Sequence, residues 1–281
     1  MTDTFWLGPA IDARPLFARQ QAAFIDLLRQ LDTHDWHRPT VCPGWSVKDI
    51  AAHVLADHLG RLSHHRDGFD APQPRDDEDL PVFLDRINDQ WVTASRRISP
   101  PILVELLTIY GEQVAAFWRT VDLDVLGGPV WWAGPERVPV WLDAARDFTE
   151  YWTHQQQICD ATDRQGLTGP EFLAPVLDTF MRALPHTLRE VNASEGTTLE
   201  VRVTGPAGGS WTCTRTWSRW ALRRQAGSHP DARLELDADT TWRLCTRGIS
   251  PEQAASRART QGDQRLTAAA LRIVSIVWSE G

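Results

Sequence analysis

The chain holds one lysine, Lys48, and four cysteines, Cys42, Cys159, Cys213 and Cys245, in 281 residues. No two of those cysteines form a CxxC pair, which argues against a cysteine-rich zinc knuckle and gives no basis for a disulfide framework. Reduced thiols are the expectation. No stretch approaches the run of about eighteen apolar residues that a membrane span needs. The opening MTDTFWLGPAIDARPLF lacks a basic segment followed by an apolar one. These absences predict a cytoplasmic chain with no membrane partner.

Positive charge is also in deficit, with a formal net charge of -8. Nucleic acid or an anionic surface would select the opposite balance, so no nucleic-acid partner is expected. GxGxxG, a GK[ST] phosphate loop and a GxSxG elbow are all missing, as are heptads and internal repeats. Nucleotide cofactors and serine hydrolysis lose their support. The composition that remains, 42% hydrophobic and 23% charged, is that of a globular protein with a sizeable core. The length suggests two domains.

Apolar residues recur at helical spacing from Ile11 to Leu31, and the stretch HDWHRPTVCPGW ends that helix. Ser46 then opens a second helix reaching about Arg66, with Asp49 three residues on completing a capping-box-like start. The acidic, proline-rich DGFDAPQPRDDEDLP reads as a loop. Helices follow over Val82–Ile98 and Ile102–Val121, with Pro100 and Pro101 breaking the first, and GGPVWWAGPERVP reads as an aromatic loop. Further helices cover Val140–Ala161 and Phe172–Val191, the latter interrupted by Pro185.

After Gly196 the period changes to two. LEVRVTG, the turn GPAGGS and WTCTRTW form a predicted hairpin, and ARLELDA a third strand. DTTWRLCTRG, SPEQAASRAR and DQRLTAAALRIVSIV read as helical, with Ile273–Val277 equally compatible with a buried strand. The expected architecture is an all-α domain over residues 1–193 and an α+β domain over 194–281.

Glu150 and His154 carry the chemistry. Four residues apart on a helix, they lie about 40° apart around the axis and project from one face. An imidazole and a carboxylate suit zinc and other divalent first-row ions. A third donor has to come from another helix, and His53, mid-helix in DIAAHVLA, is the candidate. Two histidines and one glutamate would leave the open position typical of catalytic zinc. The alternative is a hydrogen-bonded core histidine beside a solvated Glu/His pair. His58 points away from His53, and His64 and His65 lie near the polar helix end.

The segment from Trp36, W-x-x-PT-x-C-PGWSV-K-DIAAH-V, resembles the opening of the mycothiol-dependent maleylpyruvate isomerase family, within the DinB-like metal-binding bundles. RDFTEYWTHQQQI is similar to that family's second metal motif. The resemblance implies a DinB-like four-helix bundle and maps the family's metal ligands onto His53, Glu150 and His154. The hairpin, ARLELDA with TTWRL, and the late GD of QGDQRL resemble its sterol-carrier-like C-terminal domain. That family's W-R-L-x-T-G-R segment supplies a cleft arginine. This chain reads WRLCTRG, so Arg247 is the nearest counterpart, in swapped order.

What the resemblance implies is a divalent-metal enzyme, zinc its expected ion, that uses mycothiol as a thiol cosubstrate on a small molecule. As an isomerase, it would add thiolate to a cis double bond conjugated with carbonyls, allow rotation and expel the thiol to give the trans isomer. As an S-transferase, it would move or exchange the thiol. Arg247 is the expected catalytic cation for an anionic substrate. Trp132 joins it as a cofactor-binding candidate, with Trp131, Trp141 and Trp152 as further cleft walls or as packing. The competing class is a non-catalytic ligand carrier or zinc-responsive protein built on the same bundle. A monomer and a homodimer are both compatible with the sequence.

Overall fold

Proline placement marks where many helices begin. A proline in the first helical turn gives up an N–H that has no intrahelical acceptor, and its fixed φ suits the turn. Such prolines open α1 (Arg14–Arg29), α3 (Leu80–Ser95), α4 (Pro100–Thr120), α6 (Pro170–Met181), the short α7 (Leu184–Thr187) and α9 (Pro251–Arg257). Pro100 and Pro101, expected as breakers, are the first turn of α4. The computed structural model describes residues 4–274, and the chain divides into two compact units. The expectation for Ile273–Val277 falls largely outside the described residues.

One unit takes Ala13–Asp122 and Phe148–Leu167. It contains α1, α2 (Val47–Gly60), α3, α4 and the part of α5 (Val140–Ala161) from residue 148 on. Helix α2 runs on into a π-helical turn at Arg61–Arg66, which accounts for the predicted reach to that residue. Phe17 stacks on Trp118 at 5.8 Å and meets Phe148 and Tyr151 edge-on at 5.8 and 6.2 Å. This aromatic cluster joins α1, α4 and α5 into one core. Two buried glutamines of α1 are paired there: Gln20 Nε2 donates to Gln155 Oε1 at 3.0 Å, and Gln21 Nε2 donates to the Leu107 carbonyl at 2.8 Å. Gly111 faces that amide, and a Cβ there would stand 2.0 Å from Gln21 Nε2.

The other unit takes Leu123–Asp147 and the chain from Thr168, together with the N-terminal stretch to Asp12. Its sheet has the order β5-β4-β3-β6-β7, from β3 (Thr198–Thr204), β4 (Gly209–Arg215), β5 (Trp220–Arg223), β6 (Ala232–Asp237) and β7 (Arg259–Gly262). Strands β3 and β6 are parallel and the other pairs antiparallel. Helices α8 (Ala238–Cys245) and α10 (Gln264–Ala270) complete the α+β arrangement. A buried ion pair between Asp178 and Arg182, 2.9 Å apart, ties into the core through Trp211 Nε1, which donates to Asp178 Oδ1 at 2.7 Å.

Three local expectations are corrected. GGPVWWAGPERVP is not simply a loop: β1 (Leu126–Pro129) pairs antiparallel with β2 (Arg137–Pro139), held by Arg137 donating to the carbonyls of Leu126 and Gly127. Strand β5 is too short for its alternation to be seen. Strand β7 lies exposed at a sheet edge, so the helix expected through SPEQAASRAR stops at Arg257.

Candidate metal centre

The loop before α2 fixes where that helix starts. Ser46 Oγ accepts from the Asp49 N–H at 3.3 Å, and Asp49 Oδ2 accepts from the Ser46 N–H at 3.0 Å. The Arg96 guanidinium holds the same carboxylate at 3.1 and 3.2 Å and helps keep Asp49 below the usual carboxylate pKa despite burial. With this start pinned, His53 stands two turns into α2 and Asp57 a further turn on, one above the other on the same face.

Helix α5 carries a pair of the same spacing in the opposite order. His154 Nε2 lies 3.0 Å from Glu150 Oε1. The two pairs face each other: His53 Nε2 is 3.5 Å from Asp57 Oδ2 and 3.9 Å from Glu150 Oε1, and the two imidazole rings are 4.7 Å apart at 86°. One donor atom from each of the four residues lies within 4.8 Å of every other. Both histidines are buried and both carboxylates half-buried. The structure therefore brings together the three side chains expected from sequence and adds Asp57.

Electrostatics follow from that crowding. Burial pulls the His53 pKa down, but the carboxylates of Asp57 and Glu150 outweigh it and leave the imidazole raised. Burial raises Glu150, yet the neighbouring imidazoles of His154 and His53 outweigh the cost and leave it lowered. Two carboxylates this close repel unless a cation stands between them.

The donor set fits a divalent ion. Gln157 Oε1 lies 2.8 Å from His154 Nδ1 and accepts its N–H. In the neutral form of that tautomer, Nε2 keeps a lone pair directed toward the cluster, as a metal ligand requires. Ligands about 2.1 Å from a tetrahedral zinc stand roughly 3.4 Å apart, inside the spread of the separations here.

Two residues of the loop before α2 border the cluster. The Trp45 ring lies 5.2 Å from the His53 ring, covering one side. Cys42 Sγ donates to the same Gln157 Oε1 at 3.5 Å. Burial, reinforced by the Glu150 charge, pushes the Cys42 thiol up to about 11, so it stays protonated near neutral pH.

A family profile described as the mycothiol maleylpyruvate isomerase N-terminal domain matches residues 17–159, a stretch that contains all four donors. The chain belongs to that family. Among solved structures, a mycothiol-dependent maleylpyruvate isomerase matches with a TM-score of 0.51 at 14% identity, over 86% of this chain and 91% of that one. A histidine-to-alanine variant of a mycothiol-dependent maleylpyruvate isomerase matches with a TM-score of 0.54 at 13% identity, over 92% and 96%. At such identities the likeness is one of fold, here a helical N-terminal region with an α+β C-terminal part. A search of curated proteins returned no match.

Most of the remaining candidates belong to the other unit. Trp132 is buried in the turn between β1 and β2, and Trp141 is buried at the start of α5 beneath the Arg182 guanidinium, 5.5 Å away. Arg247 follows α8 in a left-handed conformation, φ 57°. Its guanidinium donates to the carbonyls of Leu244, Ile273 and Arg272 at 3.1, 2.8 and 2.9 Å. Trp152, in the helical unit, is fully buried and donates to the Leu167 carbonyl at 2.7 Å, a packing role. Asp57, Trp45, Cys42 and Gln157 went unselected by sequence reasoning. Asp57 had a signal, four residues after His53, as did Gln157, one turn beyond His154.

Proposed function

We propose that this family member is a mycothiol-dependent metalloenzyme acting on a small molecule by isomerisation of the maleylpyruvate type, with His53, Glu150 and His154 as metal ligands. The observation that carries this reading is the convergence of two imidazoles and a glutamate from two helices within 4.8 Å, in a chain of this family. Zinc is the proposed ion, since two imidazoles and a carboxylate are a donor set that catalytic zinc uses. When bound, it supplies a Lewis acid that favours thiolate over thiol near neutral pH. Gln157 fixes the tautomer that turns the His154 Nε2 lone pair into the site, and Trp45 shields His53 from water.

In this reading the helical unit is a DinB-like four-helix bundle and the α+β part, from about residue 194, a sterol-carrier-like domain. Trp132 and Arg247 are proposed cofactor-binding residues, and the carbonyl partners of Arg247 are what a substrate carboxylate would have to displace. The test uses the zinc-loaded full chain with mycothiol and maleylpyruvate. Trans isomer formed only when mycothiol is present supports the proposal; so does a higher unfolding midpoint with the thiol, because a ligand of the folded state stabilises it. An S-conjugate as the end product would make it a transferase instead. Thiol-independent turnover, or no thermal shift at millimolar mycothiol, contradicts the proposal.

A further inference from the structure

We infer that Asp57 is a fourth protein ligand to the same metal, holding the corner that an incoming thiol must take. This rests on the metal-site reading above and extends it from three donors to four. Three observations on α2 and α5 point to it.

The first is placement. Asp57 follows His53 by one helical turn, as His154 follows Glu150, so each helix presents one imidazole and one carboxylate to a common centre. Asp57 Oδ2 lies 3.5 Å from His53 Nε2, close to the roughly 3.4 Å edge of a tetrahedral zinc site. Asp57 Oδ2 stands nearer that imidazole nitrogen than Glu150 Oε1 does, at 3.9 Å, and all four donors lie within 4.8 Å of one another.

The second is charge. Two neutral imidazoles and two carboxylates sum to minus two, which one divalent ion neutralises in full. A half-buried, low-dielectric position favours that neutral assembly over one with a net charge. With Glu150 alone, the ion would keep one uncompensated positive charge in the same surroundings.

The third is donor number. Two nitrogens and two oxygens complete a tetrahedron, which is the pattern of a closed rather than an open site. A thiolate would then gain the ion by exchange: one metal–oxygen bond to Asp57 would break, one metal–sulfur bond would form, and the thiol proton would leave to solvent. Asp57 thus secures the ion when no thiol is present and competes with thiol when it arrives.

The two effects have opposite signs, which separates a ligand from a merely structural residue. The experiment uses the full chain and its Asp57→Asn and Asp57→Ala variants. Zinc affinity is measured against a chromophoric chelator, and the cobalt-loaded proteins are titrated with 2-mercaptoethanol, following the cobalt–thiolate absorption. Both variants are expected to lose zinc affinity by at least the roughly 10- to 100-fold that an outer hydrogen-bond partner is worth. Asp57→Ala should also reach half-saturation at several-fold lower thiol than the parent chain. Zinc affinity within about 2-fold of the parent chain in both variants, with an unmoved thiol midpoint, would overturn the inference.

Glu150→Gln serves as the control for the underlying reading. If Glu150→Gln loses the ion while the Asp57 variants keep it, only the fourth-ligand inference fails. If Glu150→Gln also keeps it, the metal centre itself is wrong. Circular dichroism of each apo-protein checks that α2 and α5 are intact. Asp57→Asn is close to isosteric, so a folded variant is expected even if the alanine form is not.

Discussion

His154 donates its Nδ1 proton to Gln157 Oε1, one helical turn further along α5, across 2.8 Å. Cys42 Sγ reaches the same oxygen from the loop before α2. A residue from each side of the site therefore meets at one amide, which sets the orientation and tautomer of one imidazole. Metal-bound histidines depend on such partners for both geometry and basicity.

Replacing Gln157 by Leu removes that acceptor while preserving bulk. Zinc affinity is expected to fall about 10- to 100-fold, and Gln157→Glu should retain or tighten binding. Competition titration with a chelator reads both. Equal affinity in the leucine variant would show that the tautomer is set elsewhere.

His58 gives the fold a pH dependence independent of metal chemistry. Fully buried and 4.8 Å from the Tyr151 ring, it is pushed by burial down to about 3. The unfolded chain takes up this proton below about 6.5, the folded chain only near the lower value. Stability is then full above the unfolded value and is lost as pH falls, by up to about 1.4 kcal/mol per pH unit from this one group. Urea unfolding of the metal-free chain between pH 7 and 4.5 should show that slope, and His58→Phe should flatten it. An unchanged slope in the variant would refute the assignment.

Gly111 is small because Gln21 needs the space. A methyl group there collides with the amide that donates to the Leu107 carbonyl. Losing a buried hydrogen bond costs about 1–3 kcal/mol, against a gain of about 1 kcal/mol from alanine in a helix. Gly111→Ala should therefore destabilise by about 1 kcal/mol. The same change in a Gln21→Ala background should be neutral or stabilising, and equal effects in both backgrounds would show that the two positions are uncoupled.

Arg247 clamps the end of α8 to the chain at Arg272 and Ile273 through three carbonyl acceptors. Arg247→Gly keeps the left-handed backbone without strain and removes only the clamp. The expected result is a lower unfolding midpoint with unchanged zinc content. Where the guanidinium also binds a ligand, as proposed, KM rises in Arg247→Lys while the midpoint barely moves. The two outcomes can be told apart in one pair of measurements.

How much of this was legible in sequence depends on local signal strength. Helix α5 was bounded correctly over Val140–Ala161, because long amphipathic periodicity leaves few alternatives. Ser46 and Asp49 marked the start of α2 through their own side chains. Strands β5 and β7 were missed because four-residue strands are held by partners distant in sequence, and β7 has no buried face to reveal it. At the site, Glu150 and His154 carried their pairing in their spacing. Asp57 has the same spacing from His53 but was passed over, since a single aspartate among many acidic residues has no visible purpose until the opposing helix is in place.

His53, Glu150 and His154 are proposed to hold one divalent ion. The direct test is metal content of the full chain, purified without chelator and exchanged into zinc, alongside His53→Ala, Glu150→Gln and His154→Ala. Close to one zinc per parent chain is expected, with near-zero retention after buffer exchange in each variant. Stoichiometric zinc in folded His154→Ala, or none in the parent chain, would contradict it.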